Sequence, residues 1–380
     1  MLSILYDGWP LVWQPNGPAA MHLCTLLAYL PDELQAQVAL PGQPVHALPE
    51  GVIRQVLPTR EDEASRLRWE QRRLPRLARE LGVDFLHLTS SHPALFGRAR
   101  TLISPTGYPW RREEDRRAGR KPGLATRLRE ALSQGGMERV HALLWPEDLP
   151  EPDLSLPVLK LPPALHPVFG SVNGNGQMAR VEQSLMAGSA ALDLPETFLL
   201  YHGPHGLQDL RSLLEAWSWA AGSIGDYYPL LLLGLDEQAR KALPALAQKY
   251  QLGETVRAIP PVSIETLGLL YRKCTALFHP AGVSPWGGAI RPALSCGKPV
   301  VALKSELAEA LVGPAAYLVP EDGKPAEGSG RALGAALITV VVEESVAEGL
   351  RQAAYQRAAR WRGAEFRQAL LAAYQSLAFH

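Results

Sequence analysis

Ala276 to Leu303 reads ALFHPAGVSPWGGAIRPALSCGKPVVAL. A short apolar run, Ala276–His279, runs into a loop rich in Gly and Pro. A short helix-forming stretch follows, then a glycine stop at Gly297 and a second apolar run, Pro299–Leu303. Continuous apolar runs of this length joined by a helical segment are the pattern of parallel strands buried on both faces. Pro292 fits only the first turn of a helix, which predicts a helix start near Ile290 or Arg291. Gly287 and Gly288 ahead of that start let backbone N–H groups approach an anionic group, and they serve equally well to make a tight strand-to-helix turn.

The same unit recurs along the chain. In the first half the apolar runs are Leu2–Tyr6, Gln37–Leu40, Val52–Leu57, Asp84–Leu88, Arg100–Ile103, Val140–Leu144 and Val158–Leu161. In the second half they are Phe198–His202, Pro229–Leu233, Val256–Ile259, Ala276–His279, Pro299–Leu303 and Ala316–Val319. Amphipathic segments separate them, among them Met21–Leu30, Glu70–Leu81, Leu207–Ala220, Asp236–Tyr250, Ile264–Lys273 and Glu344–Trp361. Two such series predict an α/β protein of two doubly wound, Rossmann-like domains. Residues 171–194, opening with Ser171-Val172-Asn173-Gly174-Asn175-Gly176, lack strand alternation and read as a linker. The expected organisation is 1–170, linker 171–194, 195–360 and a C-terminal helix in 361–380. In two-domain α/β proteins the loops that follow the strands carry the chemistry.

Composition narrows the classes further. The 380 residues hold 38 basic and 38 acidic side chains, a formal charge of zero, with 47% hydrophobic residues. Nucleic-acid binders carry a basic excess that releases counterions, and disordered regulators carry high net charge with few apolar residues, so both are excluded. Cys24, Cys274 and Cys296 form neither a CxxC pair nor a disulfide framework, which predicts a reducing, cytoplasmic setting. Leu2–Tyr6 follows Met1 with no basic region and reads as a buried strand, not a signal peptide. The longest apolar stretches, Tyr228–Leu235 and Ala335–Val342, fall far short of the roughly 20 residues of a spanning helix. The expectation is a soluble protein that has no transmembrane segment and whose membrane contact, if any, is peripheral.

The loop after His279 resembles the nucleotide-sugar loop of retaining glycosyltransferases of the GT-B fold, of the large family-4 type. Their pattern is approximately P-S-x-x-E-G-F-G-x-x-x-x-E-A-x-A-x-G-x-P-V. Downstream, Leu307-Ala308-Glu309-Ala310-Leu311-Val312-Gly313 through Pro320 is similar to that group's L-P-E-V-V-G-D-A-A-L-L-V-x-P. Upstream, Phe198 to Gly203 followed by Ser212 to Trp217 resembles the opening of its second domain, and Val256 to Val262 with Leu267, Leu270 and Tyr271 fits its V-x-F-x-G-x-V…L-x-x-L-Y. The resemblance covers the second half closely and the first half loosely. It implies two domains facing across a cleft and transfer of a hexose, with retention, from a UDP-, GDP- or ADP-sugar to a glycan or lipid-linked acceptor. It also implies that the final amphipathic segment, Glu365–Phe379, crosses back onto the first domain. No cofactor or metal is implied.

In that family two glutamates of the loop contact the sugar and the ribose, and an Arg and a Lys at the start of the second domain neutralise the diphosphate. Here those positions hold Ser284, Pro292, Pro204 and Gln208 or a neighbour. The resemblance therefore implies a donor site built from Ser284, Trp286, Gly287 and Gly288, with Arg291, His205 and Arg211 as substitute cations. Arg211 also reads as a solvated helix arginine and His205 as a loop or N-cap histidine. Absence of the four charged side chains opens a second reading, a catalytically inactive GT-B paralogue that binds a partner protein or a glycan.

In the first half, Tyr6-Asp7-Gly8-Trp9-Pro10 and then Gln14 to Ala20 form a strand, a turn-rich loop and a helix start. Asn16 and Gly17 resemble the family's acceptor-side loop, though Asp7 and Asn16 equally suit helix caps. His92, after the strand Asp84–Leu88, is the titratable candidate for acceptor chemistry and, with Ser284, one of two catalytic candidates; it also reads as a surface histidine. Lys160 to Phe169 resembles the family's V-x-x-I-P-N-G-V-D-x-x-x-F, with its polar centre replaced by Pro163-Ala164-Leu165-His166. The run 110–121, with six basic and three acidic side chains, reads as a solvated connector or an anionic-membrane contact. No metal-ligand spacing, P-loop or Ser-His-Asp order occurs.

Overall fold

The computed structural model describes residues 1–97, 99–107, 124–170, 192–203, 206–320 and 328–378. The predicted linker 171–194, except for residues 192–194, and the charged run 110–121 lie outside the described residues, as do Pro204 and His205. The described chain forms two compact units. Unit 1 comprises Met1–Ala164, Ser284–Gly287 and Arg362–His380; unit 2 comprises Leu165–Val283 and Gly288–Trp361. Four residues of the glycine-rich loop thus belong to unit 1, although both flanks belong to unit 2.

Unit 1 holds a parallel sheet in the order β3-β2-β1-β4-β5-β6-β7. Its strands are β1 (Leu2–Asp7), β2 (Leu34–Leu40), β3 (Ile53–Val56), β4 (Phe85–Leu88), β5 (Thr101–Ile103), β6 (Ala142–Pro146) and β7 (Val158–Leu161). Unit 2 holds a second parallel sheet, β10-β9-β8-β11-β12-β13. These strands are β8 (Leu199–His202), β9 (Leu230–Leu233), β10 (Val256–Ile259), β11 (Ala276–His279), β12 (Val300–Leu303) and β13 (Tyr317–Val319). Each apolar run of the sequence supplies one strand, because a run such as Leu230–Leu233 has all four side chains buried and no polar face to turn to solvent.

Helix starts follow the local capping chemistry. The side chains of Asp236, Ser263 and Ser305 accept hydrogen bonds from the backbone N–H of Ala239, Thr266 and Ala308 at 2.6, 3.3 and 3.1 Å. The expected helix over Glu70–Leu81 is instead Glu63–Arg68, a π-helical turn Trp69–Arg73 and Leu74–Leu81. Pro75 has no N–H to donate to the Gln71 carbonyl, and the helix widens just before it: the Leu74 N–H reaches back to Trp69 O. The core of unit 2 gathers Leu199, Tyr201, Leu214, Trp217, Leu232, Phe278 and Leu337 around its sheet.

Both strand orders reverse direction beside the first strand of the unit. In unit 1 the chain leaves β1 toward β2 and returns to β4; in unit 2 it leaves β8 toward β9 and returns to β11. At such a reversal the loops after the two central strands diverge and leave a crevice at the carboxyl end of the sheet. The loops to inspect are therefore those after Asp7, Leu88, His202 and His279.

Candidate active site

The unit 2 crevice is entered from β8 and β11. His202, at the end of β8, is 2% exposed, and its Nδ1 is 2.6 Å from the hydroxyl of Tyr271. The helix Leu207–Ile224 begins after Gly206 and carries Arg211 exposed on its surface. After β11 the backbone turns at Gly288, whose φ of +93° is a conformation glycine alone adopts without strain. The helix Ile290–Ser295 starts where Pro292 predicted, and it is only six residues long.

Arg291 lies in the first turn of this helix, where the sequence placed it. It is 1% exposed, with its guanidinium 4.9 Å from the centre of the Trp361 indole. A planar guanidinium over an indole face is a favourable way to bury an arginine.

Ser284, Trp286 and Gly287 are part of unit 1. The Trp286 side chain is 3% exposed, donates from Nε1 to the carbonyl of Leu144 at 2.9 Å and stacks on His22, with ring centres 4.8 Å apart and planes at 15°. What Trp286 offers a ligand is therefore its backbone. Gly287 abuts the first residue of the helix Pro18–Ala28: an added Cβ would overlap the Pro18 carbonyl oxygen and stand 2.8 Å from its carbon. Asn16, 2% exposed, and Gly17, the N-cap of that helix, immediately precede the contact. The structure thus brings together Gly287 and the Asn16-Gly17 turn, two candidates found in opposite halves of the sequence. The Ser284 Oγ is buried and has no hydrogen-bond partner among the described residues. A serine nucleophile is activated by an adjacent base, and none is bonded to it.

His22 leads into a buried chain of hydrogen bonds that sequence reasoning missed. His22 Nε2 is 2.8 Å from Ser104 Oγ, which is 2.7 Å from His87 Nε2. His87 Nδ1 is 2.6 Å from the hydroxyl of Tyr374, which lies 2.9 Å from that of Tyr6. Burial pushes the His87 imidazole down to about 3, so it is neutral at physiological pH and each ring nitrogen has one defined role. Buried-looking histidines inside apolar segments, His22 in Met21–Leu27 and His87 in Phe85–Leu88, were the available signal.

The unit 1 crevice is lined from β1 and β4. Asp7 is buried, and one carboxylate oxygen accepts from the Trp9 N–H at 3.0 Å and from Trp69 Nε1 at 2.8 Å. The N-cap of the following helix is Gly8, not Asp7, and burial raises the Asp7 carboxyl to about 6 despite those bonds. Next to it Glu70 receives two hydrogen bonds from Arg129, at 2.7 and 2.5 Å, and one from Arg66 at 3.2 Å. Burial alone would raise the Glu70 carboxyl, but the bonds and charge of Arg129, with the charge of Arg66, hold it below its ordinary value. His92 is largely buried beside this group, its imidazole pushed down to about 3 by desolvation first and by Arg129 second. So weak a base stays neutral near pH 7 and removes a proton poorly. Among the described residues, no cluster of three or more His, Cys, Asp or Glu could hold a metal ion, and no helix is long and apolar enough to cross a membrane.

Comparison with known proteins places this arrangement. Residues 207–356 match the family described as glycosyl transferases group 1. Sucrose-phosphate synthase from Thermosynechococcus elongatus is 16% identical, with 99% of each chain covered and a TM-score of 0.67. WaaG, a glycosyltransferase involved in lipopolysaccharide biosynthesis, is 13% identical over 99% of each chain, with a TM-score of 0.69. Anabaena HepE, solved in complex with UDP and glucose, is 13% identical over 99% of this chain and 100% of its own, with a TM-score of 0.66. No curated protein matches the chain. The two parallel-sheet units are those of the GT-B fold, and residues 207–356, largely within the second, are similar to the glycosyl transferases group 1 family.

Proposed function

We propose that the protein transfers a hexosyl group from a nucleoside diphosphate sugar to a glycan or lipid-linked acceptor, with retention of configuration. The observation that carries this reading is the packing of Gly287 against the Asn16-Gly17-Pro18 turn. Two glycine-bearing turns at the carboxyl ends of parallel strands leave backbone N–H groups free of Cβ shielding, where a diphosphate and a sugar are best held. HepE, of the same fold, holds UDP and glucose. In this chain, Gly287 and Gly288 would contact the donor through backbone, with His205 and Arg211 supplying charge to the departing diphosphate. Arg291, in the first turn of the helix that follows the glycines and packed on Trp361, is the third cation proposed for the diphosphate. His92, kept neutral, accepts a hydrogen bond from the sugar or the acceptor. The acceptor side is unit 1, and transfer takes place in the cytoplasm.

A second reading is supported by one specific observation. Ser284, Pro292, Pro204 and Gln208 stand at the positions where the resembled family carries its acidic and basic donor contacts. An inactive paralogue that binds a partner protein has the same features. Titration calorimetry with UDP, GDP and ADP separates the two. One nucleotide is expected to bind at millimolar concentration or tighter, and Arg211→Ala to weaken it by about tenfold, since a charge-assisted hydrogen bond contributes about 1.5–3 kcal/mol. Silence with all three at millimolar concentration favours the inactive paralogue.

A further inference from the structure

Unit 1 contains a groove that neither the fold nor the donor site accounts for. It lies at the carboxyl ends of β2 and β3, with a volume of about 660 Å³. Its walls come from three successive segments: Trp13, at the end of the helix Trp9–Trp13; Gly42 and Gln43, after β2; and Pro58, Thr59 and Arg60, after β3. A monosaccharide or disaccharide fits the range of such grooves.

The chemistry of the walls is selective. Trp13 is half-buried and lines the groove with an indole, the side chain that best covers the apolar face of a sugar ring. Gln43 and Arg60 are exposed, and neither makes a hydrogen bond or ion pair with any described residue. Arg73 stands behind the same wall, with its guanidinium donating to Thr59 Oγ1 at 2.8 Å and to the Pro58 carbonyl at 3.2 Å. The neighbouring acids are Glu61 and Asp62. The Asp62 carboxylate is engaged by Ser65 through the backbone N–H and the hydroxyl, at 2.8 and 2.7 Å. An aromatic wall, a free amide and a free guanidinium in one groove suit a sugar that carries an anionic group. The groove also adjoins the acceptor-side turn, because Trp13 is followed directly by Gln14-Pro15-Asn16-Gly17.

We propose that this groove binds the acceptor as an anionic saccharide, the sugar against Trp13 with its hydroxyls on Gln43 and its carboxylate or phosphate on Arg60. This rests on the glycosyl-transfer reading for the word acceptor alone; the binding of an anionic sugar stands without it. The test follows chemical-shift perturbation of the full chain by cellobiouronic acid, glucose 6-phosphate and neutral cellobiose, with no nucleotide present. At least one anionic sugar is expected to bind at least tenfold tighter than cellobiose. Preference for the uronate assigns a carboxylate-bearing glycan, and preference for glucose 6-phosphate a phosphorylated one. Arg60→Ala is expected to remove the preference, leaving affinity near that of cellobiose, and Trp13→Ala to weaken all sugars. Arg60 is exposed and unbonded, so its replacement leaves the fold intact, which an unchanged melting profile verifies. Equal affinity for cellobiose and both anions, or an Arg60→Ala protein that keeps the preference, overturns the proposal. Because no nucleotide enters the experiment, its failure is distinct from a failure of donor binding.

Discussion

Gly287→Ala is expected to be among the most damaging single-methyl substitutions in this chain. The added Cβ would occupy the position of the Pro18 carbonyl oxygen and lie 2.8 and 3.0 Å from the carbonyl carbon and Cα of the same residue. All three are backbone atoms at the start of the helix Pro18–Ala28, and that helix is pinned by eight buried side chains, so it cannot yield cheaply. Overpacking with no side chain to move costs about 3 kcal/mol or more. The Ser284–Gly287 segment must leave its seat or the helix must shift, and the His22–Trp286 stack is strained in either case. A lower urea midpoint for unit 1, together with loss of nucleotide binding, is the expected outcome. A variant that unfolds at the wild-type midpoint means that Gly287 does not sit against Pro18.

Glu70→Ala is the second large effect, and its origin is electrostatic. Glu70 is 6% exposed and accepts from Arg129 and Arg66. Removing it leaves two guanidinium groups facing each other with little water. Breaking one partner of a buried pair costs about 3–5 kcal/mol, well above the value of an exposed ion pair. The pH dependence has a defined sign. The folded Glu70 carboxyl lies below its ordinary value, so its contribution is fully present above the unfolded pKa of about 4.3 and is lost as pH falls through the lower folded value. The urea-midpoint difference between wild type and Glu70→Ala is therefore expected to be largest near neutrality and to shrink in acid. A difference that stays constant down to pH 3 contradicts the ion-pair account.

These effects show which parts of the structure were legible in the sequence. The strands were, because a parallel strand covered on both faces is written as an unbroken apolar run, and Leu230–Leu233 has no other use. The helix start at Ile290 was, because Pro292 permits little else. The three-part break of the helix before Leu81 was not: Pro75 was visible, but whether a proline ends a helix or widens it into a π turn depends on what the turn packs against. The site was half legible. Glycine-rich turns announce themselves locally, whereas the relay from His22 through Ser104 and His87 to Tyr374 and Tyr6 joins residues as far as 368 apart. No periodicity encodes such a pairing. Trp286 was read with its sequence neighbours, yet its indole is held by Leu144, 142 residues away.

Charge placement separates the two functional readings more sharply than total charge does. The chain balances 38 basic against 38 acidic groups, and two of its deeply buried charges have partners within the fold: Arg291 lies over the Trp361 indole, and Glu70 pairs with Arg129 and Arg66.

The most direct measurement is release of nucleoside diphosphate from UDP-, GDP- and ADP-hexoses, with the anomeric configuration of the product followed by NMR. Turnover of one donor, yielding first the anomer that has the donor's own configuration, is the predicted result. Absence of release from all three donors, in the presence of acceptor sugars, contradicts the transferase reading; release with inverted configuration contradicts its stereochemistry.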